Sequence, residues 1–200
     1  MHLQPFLYHP YYCEENIYKL CETITGINGY NKELFAVFIS NEEKKVPIMS
    51  QDLPENTGGT VVWDYHVIAV ERDAHSSVIY DLTSILPQPC PIAQYAREGL
   101  GPASTWRFSR KFRVVPAALY LEYFASDRTH MLEAGSQIDY QKPPPPHACI
   151  VSRNGETMTL PRYLDMTDGA PESADGRYGQ IYSETAFMVE FGGVAGNGQA

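Results

Sequence analysis

The residue in this sequence best suited to chemistry is a cysteine near its start, Cys13, in the stretch YYCEENIYKLCE. Apolar residues follow it at helical spacing, which predicts a helix over residues 14–25 that begins just after Cys13. These residues are Ile17, Leu20, Cys21 and Ile24. A thiol at a helix N-terminus feels the positive end of the helix dipole, which stabilises the thiolate. Cys13 is therefore a candidate nucleophile, although a cysteine in this position can equally be a small buried hydrophobe.

A candidate base and its partner come from two β-rich runs at residues 60–71 and 76–82. If a four-residue loop joins them, Glu71 pairs with Ser76, and the numbers of every cross-strand pair add up to a constant. That register predicts that the runs form one hairpin with His66 opposite Asp81 on the same face. A slip of one residue would separate the two side chains.

An imidazole held by a carboxylate can activate a neighbouring thiol, so Cys13, His66 and Asp81 form a candidate catalytic triad. The two acids that follow the cysteine, Glu14 and Glu15, oppose this, because nearby negative charge disfavours a thiolate. The triad therefore requires an imidazolium closer to the sulfur than these carboxylates.

The other elements predict a single α+β domain over residues 1–200. Further strands are predicted at 33–40 and 112–115, and a second helix at 116–126 with Pro116 in its first turn. Strands flanked by helices without regular βαβ alternation are typical of the α+β class. Loops are predicted at 51–59, 140–148 and 167–179, where glycine, proline and polar residues cluster.

Composition narrows the cellular context and the partners. With 200 residues, of which 44% are hydrophobic, the chain can bury a core without disulfides or metals, and its four cysteines form no CxxC pair. These features favour a reducing compartment, and we expect no secretory signal and no membrane span. The net charge of −9 disfavours a nucleic-acid partner and favours a cationic one, such as a free α-ammonium group.

Two isolated pairs could suggest a metal site, Asp127 with His130 and His147 with Cys149. Zinc sites combine two ligand pairs at short spacing, so neither pair predicts one, and we expect no metal or other cofactor. The segment SDR, which ends at Arg128, is interpreted as a helix stop or as an ion-paired wall of the site.

A series of long motifs gives the sequence a family resemblance. In order along the chain they are YCEENIYKLCE, AVFISNEEKKVPI, VVWDYHVI, YDLTSILPQPC, FRVVPAALYLEYFASDRTHM, PPPPHACI and LPRYLDM. From Tyr12 to about Phe191 the chain resembles the protein N-terminal glutamine amidohydrolases. The resemblance implies a monomeric fold similar to the papain and transglutaminase thiol enzymes, and hydrolysis of the side-chain amide of an N-terminal glutamine to glutamate and ammonia in the N-degron pathway.

The family's catalytic residues fall on Cys13, His66 and Asp81, which agrees with the triad derived from the register. An enzyme of this kind needs acceptors for the substrate ammonium, and the candidates near the triad are Glu14, Glu15 and Asp64. Another thiol enzyme, either a protease or a transglutaminase, and a non-catalytic reader of N-terminal glutamine stay open as alternatives. We expect a cytoplasmic or nuclear protein.

The chain also departs from the family pattern. It has His9, Pro10 and Tyr11 before the nucleophile, where small or sulfur-bearing residues are usual, and His147 with Ala148 where Tyr-Pro is usual. If residues 9–11 line the substrate entrance, that entrance is altered.

Overall fold

The fold was analysed in a computed structural model, which describes residues 6–167 and 176–192. The strands are β1 (Glu33–Ser40), β2 (Val46–Leu53), β3 (Asn56–Trp63), β4 (His66–Arg72), β5 (Ser77–Tyr80), β6 (Cys90–Pro91), β7 (Lys111–Pro116) and β8 (Gln180–Ser183). The α-helices are α1 (Cys13–Thr25), α2 (Ile92–Tyr95), α3 (Ala117–Tyr123), α4 (Leu160–Leu164) and α5 (Glu184–Phe191). A π-helical turn at Ala96–Leu100 and short 3-10 turns at Ala103–Thr105 and Thr129–Met131 complete the regular structure.

Six strands form the central sheet in the order β6-β5-β4-β1-β7-β8, and every neighbouring pair is antiparallel. The strands β2 and β3 form a separate antiparallel hairpin. The predicted α+β class, with a mostly antiparallel sheet flanked by helices, is confirmed.

The central strand β1 is buried on both faces, which explains its nearly continuous apolar sequence. Ala36 and Phe38 face the core that contains α1, α3 and α4, whereas Val37 and Ile39 face a second core beneath α5 and the β2–β3 hairpin. In the first core, Phe38 stacks on Tyr163 with a ring separation of 5.1 Å. The apolar side chains of α1 pack against the first face, so the N-terminus of this helix is fixed relative to β4.

Helix α1 begins at Cys13 rather than after it, and its predicted apolar face is buried. The second helix is shorter than predicted, because Phe124 already has extended backbone angles. The strand predicted at 33–40 is confirmed with the same bounds, and the one at 112–115 lies within β7.

The predicted hairpin over 60–82 is wrong in two respects. The run 60–71 is broken between Trp63 and His66, and its first half pairs with β2 in the other sheet. The second half pairs with β5, but Arg72 lies opposite Ser77, two residues away from the predicted register. A shift of two keeps every side chain on the same face, since side chains alternate with a period of two.

The predicted loop at 51–59 is also wrong, because this segment contributes most of its residues to β2 and β3, with a turn only at 54–55. The segment 140–148 has no helix or strand of its own apart from an isolated bridge at Tyr140, as predicted. Most of the predicted loop at 167–179 lies outside the described residues.

Two arginines of the basic cluster RFSRKFR are buried and connect segments that are distant in sequence. Arg110 is buried, pairs with Glu184 at 2.8 Å and donates to the carbonyl of Pro47. Arg113 is buried and donates to the carbonyls of Tyr163 and Tyr178. Within the two described segments, no helix combines the length and the apolar character that crossing a bilayer needs.

Replacing Phe38 with alanine should lower the free energy of unfolding by about 3–5 kcal/mol, because the ring is fully buried among aromatic side chains. Urea unfolding followed by circular dichroism measures the change. The matched control is Val62→Ala on β3, whose side chain is exposed and whose loss should cost less than about 0.5 kcal/mol. Equal effects of the two substitutions would contradict this assignment of the core.

Candidate active site

The site is built around the buried carboxylate of Asp81, which lies just after the end of β5. Its Oδ1 accepts hydrogen bonds from His66 Nε2 at 2.8 Å and from the backbone N–H of Thr83 at 3.1 Å. Its Oδ2 accepts from Gln51 Nε2 at 2.9 Å and from the Tyr95 hydroxyl at 2.8 Å. Burial alone raises the pKa of Asp81, but the charge and hydrogen bond of His66, with those from Gln51 and Tyr95, hold it below its ordinary value of 3.8.

The orientation of the histidine follows from this carboxylate. An ionised Asp81 only accepts hydrogen bonds, so His66 carries a proton on Nε2, and Nδ1 is the basic nitrogen in the neutral ring. Nδ1 is buried and has no hydrogen-bond partner among the described residues. The indole of Trp63 stacks on the ring, with centroids 5.1 Å apart and planes within 18°. His66 is thus held in one orientation, and its Nδ1 is available to accept a proton.

The β2–β3 hairpin supports this arrangement, and sequence analysis missed it. Gln51 donates to Asp81 and accepts from Trp63 Nε1 at 3.2 Å, so one buried amide positions both the carboxylate and the indole. Because residues 51–59 were predicted to form a loop, this glutamine was not identified as part of the site. The Tyr95 hydroxyl was missed as well, and nothing near it in the sequence indicates its role.

The nucleophile candidate Cys13 lies at the first position of α1, and the residue is 7% exposed. The backbone N–H of Val67, the residue after His66, points at the sulfur. The thiol itself donates to Glu14 Oε2 at 3.6 Å and forms no hydrogen bond with His66. Burial, followed by the charge of Glu14, raises the pKa of Cys13 well above its ordinary value.

A cavity of about 600 Å³ opens at Cys13. Its wall includes the polar side chains of Asp64, Tyr65, His130 and Asp165. The apolar part of its lining includes Met158, Leu160, Pro161 and Leu164 around α4. The volume is within the range that small-molecule sites occupy, and the combination of a few polar groups with an apolar wall is typical of such sites.

The three predicted ammonium acceptors have different surroundings. Asp64 is exposed and lines the cavity beside Cys13. Glu14 and Glu15 are fully buried and lie outside the cavity lining. A carboxylate that the sequence did not indicate, Asp165, also lines the cavity, and hydrogen bonds from the Thr167 hydroxyl and N–H lower its pKa.

The turn after α3, which contains the segment SDR, forms an ion pair with the start of α1, but neither partner lines the cavity. Arg128 pairs with Glu15 through two hydrogen bonds of 2.8 Å and not with its neighbour Asp127. Asp127 instead accepts from the backbone N–H and hydroxyl of Thr129. Among residues 6–167 and 176–192, no group of three or more His, Cys, Asp or Glu side chains could hold a metal ion.

The segment 9–11, which departs from the family pattern, borders the cavity. Tyr11 lines it, has a left-handed backbone with φ of 70°, and donates from its hydroxyl to Glu55 in the β2–β3 turn. The ammonium of Lys142 lies 4.1 Å from the centre of the Tyr11 ring and 3.0 Å from Glu55. The side chain of Tyr11 thus connects the start of α1 to the hairpin and to the segment 140–148.

Comparison with known proteins gives a consistent result. The family model for N-terminal glutamine amidase matches residues 8–191. Proteins named protein N-terminal glutamine amidohydrolase are similar to this chain along most of their length. The relative from Arabidopsis thaliana is 42% identical over 81% of this chain and 76% of its own, and the human relative is 38% identical over 93% and 88%. The relative from Caenorhabditis elegans is 37% identical over 89% and 96%.

Substituting Asp81 with asparagine should destabilise the protein at neutral pH, and this difference should disappear in acid. Because the pKa of Asp81 is lowered on folding, its stabilising effect is present above the ordinary value of 3.8 and is lost as the pH falls below it. Urea midpoints of both proteins between pH 7 and pH 3 measure the difference. A difference that stays constant over this range would contradict an ionised Asp81.

Proposed function

This chain belongs to the N-terminal glutamine amidase family, and we propose that it hydrolyses the side-chain amide of a glutamine at the N-terminus of a protein or peptide. The products are N-terminal glutamate and ammonia, as the resemblance to amidohydrolases of the N-degron pathway implies. The observation that carries the proposal is a fixed imidazole–carboxylate pair next to a cysteine that opens into the cavity.

In the first half of the reaction, the sulfur of Cys13 attacks the side-chain amide carbon of the substrate. The thiol proton passes to His66 Nδ1, the nitrogen for which the described residues offer no hydrogen-bond partner. This transfer requires the thiol to turn from Glu14 toward His66, and catalytic hydrogen bonds often tighten only when substrate binds. His66 then donates the proton to the departing ammonia, which leaves a γ-glutamyl thioester on Cys13.

In the second half, water attacks the thioester while His66 Nδ1 accepts its proton. The thioester carbon–sulfur bond breaks, the proton returns to the sulfur, and the glutamate product leaves. Asp81 stabilises the imidazolium form of His66 in both halves. The negative oxygen of each tetrahedral intermediate lies near the N–H of Cys13, because the first N–H groups of a helix have no partner within it.

The acceptor for the α-ammonium of the substrate is Asp64. Its carboxylate is the exposed member of the three predicted acceptors and lines the same cavity as Cys13. Asp165, charged and on the cavity wall, adds negative potential. The apolar wall around α4 takes the methylene groups of the glutamine side chain.

We infer the wider properties of the protein from the same resemblance. A helix that begins at a cysteine and packs against an antiparallel sheet carrying the histidine is an arrangement similar to that of the papain and transglutaminase enzymes. We propose that the protein is a single monomeric domain that works in the cytoplasm or the nucleus.

The function is tested by ammonia release from four matched peptides that carry N-terminal glutamine, N-terminal asparagine, acetylated glutamine or internal glutamine. We expect release from the first peptide alone. Cys13→Ala should lower the rate by more than about a thousandfold, since it removes the nucleophile. The control is Cys149→Ala, because Cys149 is an exposed cysteine remote in sequence from the triad.

The alternative functions give different results in this experiment. Cleavage of the peptide bond would indicate a protease, and incorporation of an added amine a transglutaminase. Binding of the glutamine peptide without any ammonia release would indicate a reader and would contradict the proposed hydrolysis.

Substituting Asp64 with asparagine should raise KM for the N-terminal glutamine peptide by about tenfold or more, because a charged hydrogen bond to the ammonium is lost. Steady-state kinetics of ammonia release provide the measurement. Glu133→Gln, which removes an exposed carboxylate in another loop, is the charge-matched control and should leave KM unchanged. An unchanged KM in the Asp64 variant would assign the ammonium to another group.

A further inference from the structure

The helix that carries the nucleophile begins with two carboxylates, Glu14 and Glu15, that have no exposure to solvent. Acids in the first turn of a helix are usually stabilised by the dipole while remaining in water. Here both are buried, so each needs a partner that offsets its charge. The partner matters for catalysis as well, because an uncompensated carboxylate beside Cys13 opposes formation of the thiolate.

Glu15 has two basic neighbours, Arg128 and the ring of His147, whose Nε2 lies 3.6 Å from Oε2. The guanidinium binds both carboxylate oxygens at 2.8 Å, and its remaining donors reach the carbonyls of Pro145 and His147. Arg128 has a left-handed backbone, with φ of 64°. The Asp127 side chain fixes this turn by accepting hydrogen bonds from Thr129. The turn therefore presents Arg128 to the start of α1.

The same turn presents His130 to Glu14. His130 Nε2 lies 3.5 Å from Glu14 Oε1 and 3.4 Å from the hydroxyl of Tyr65. Glu14 Oε1 is buried and has no hydrogen-bond partner among the described residues, while Oε2 accepts from Tyr65 at 3.0 Å and from the Cys13 thiol at 3.6 Å. His130 is partly exposed on the cavity wall, so it stands between the buried carboxylate and the substrate space.

We propose that His130 is a positioning residue that offsets the charge of Glu14 beside Cys13, as Arg128 offsets the charge of Glu15. This inference rests on the proposed role of Cys13 as nucleophile. It assigns to the turn 127–130 a function in the reaction, because the turn places Arg128 beside Glu15 and His130 beside Glu14. Without His130, nothing from this turn offsets the Glu14 carboxylate, which disfavours the thiolate form of Cys13.

Other ionisable groups also face the sulfur. The tyrosines Tyr8, Tyr65 and Tyr120 are near enough to interact with it, Asp64 adds negative charge from the loop before β4, and His66 precedes the Val67 N–H that points at it. The Tyr120 hydroxyl donates to the backbone carbonyl of Glu14, which fixes the main chain there. Of these groups, none but His66 can carry a positive charge, and His66 is bound to Asp81. His130 is therefore the group placed to offset Glu14.

The test measures the ionisation of Cys13 without any substrate, so its failure is distinguishable from a failure of the proposed function. The rate of Cys13 alkylation by iodoacetamide is followed from neutral pH up to the highest pH at which the protein stays folded, by peptide mass spectrometry, which separates Cys13 from the other cysteines. The proteins compared are the wild type, His130→Leu, Glu14→Gln and the double variant. His75→Leu, in the exposed turn between β4 and β5, is the matched control.

In His130→Leu, the midpoint of the alkylation profile should move upward by about one pH unit, which is about tenfold slower alkylation at neutral pH. Glu14→Gln should move it downward, and the double variant should return to the wild-type midpoint or below, because the charge that needed compensation is gone. His75→Leu should have no effect. Thermal unfolding and far-UV circular dichroism establish that each variant is folded.

Two results would overturn the proposal. One is an unchanged midpoint in folded His130→Leu, and the other is a double variant shifted as far as His130→Leu alone. Kinetics with the N-terminal glutamine peptide provide an independent check. A positioning role lowers kcat/KM at neutral pH and restores it at higher pH, whereas an increase in KM at every pH with no change in the alkylation profile would make His130 a substrate contact instead.

Discussion

The site depends on one buried negative charge, that of Asp81. Four donors from different parts of the chain converge on this carboxylate: His66, Thr83, Gln51 and Tyr95. Burying a charge is costly unless it is fully hydrogen-bonded, so the carboxylate is stable only when β4, β5, the β2–β3 hairpin and α2 are all in place. The bond to Asp81 also fixes the tautomer of His66. The contacts that stabilise the fold therefore leave Nδ1 of His66 available to accept a proton.

At the start of α1, buried negative charge likewise needs partners. Glu14 and Glu15 are buried beside Cys13, and the turn after α3 brings Arg128 and His130 to them. Catalysis by a thiol needs a controlled electrostatic environment, since each nearby charge changes how readily the sulfur ionises. Beside Cys13, each of the two buried acids thus has a basic side chain within 3.5 Å of a carboxylate oxygen.

Periodicity and residue type were sufficient to predict the local elements that do not depend on distant partners. Helix α1, strand β1 and the pairing of β4 with β5 follow from patterns within short windows, and the face shared by His66 and Asp81 survived a register shift of two residues. The break after Trp63, strand β2 and the first half of β3 were not predictable in this way, because Gly58 and Gly59 indicate a loop until a partner strand is known.

By itself, the sequence determined the family and the chemically capable residues Cys13, His66 and Asp81, because long ordered motifs and residue types are properties of the chain alone. Only the tertiary structure decided how these residues are supported. Gln51 reaches Asp81 across 30 positions and Arg128 reaches Glu15 across 113, and such contacts depend on how the elements pack and not on any local pattern. The packing also decided which acids face the cavity, since burial separates Glu14 and Glu15 from Asp64.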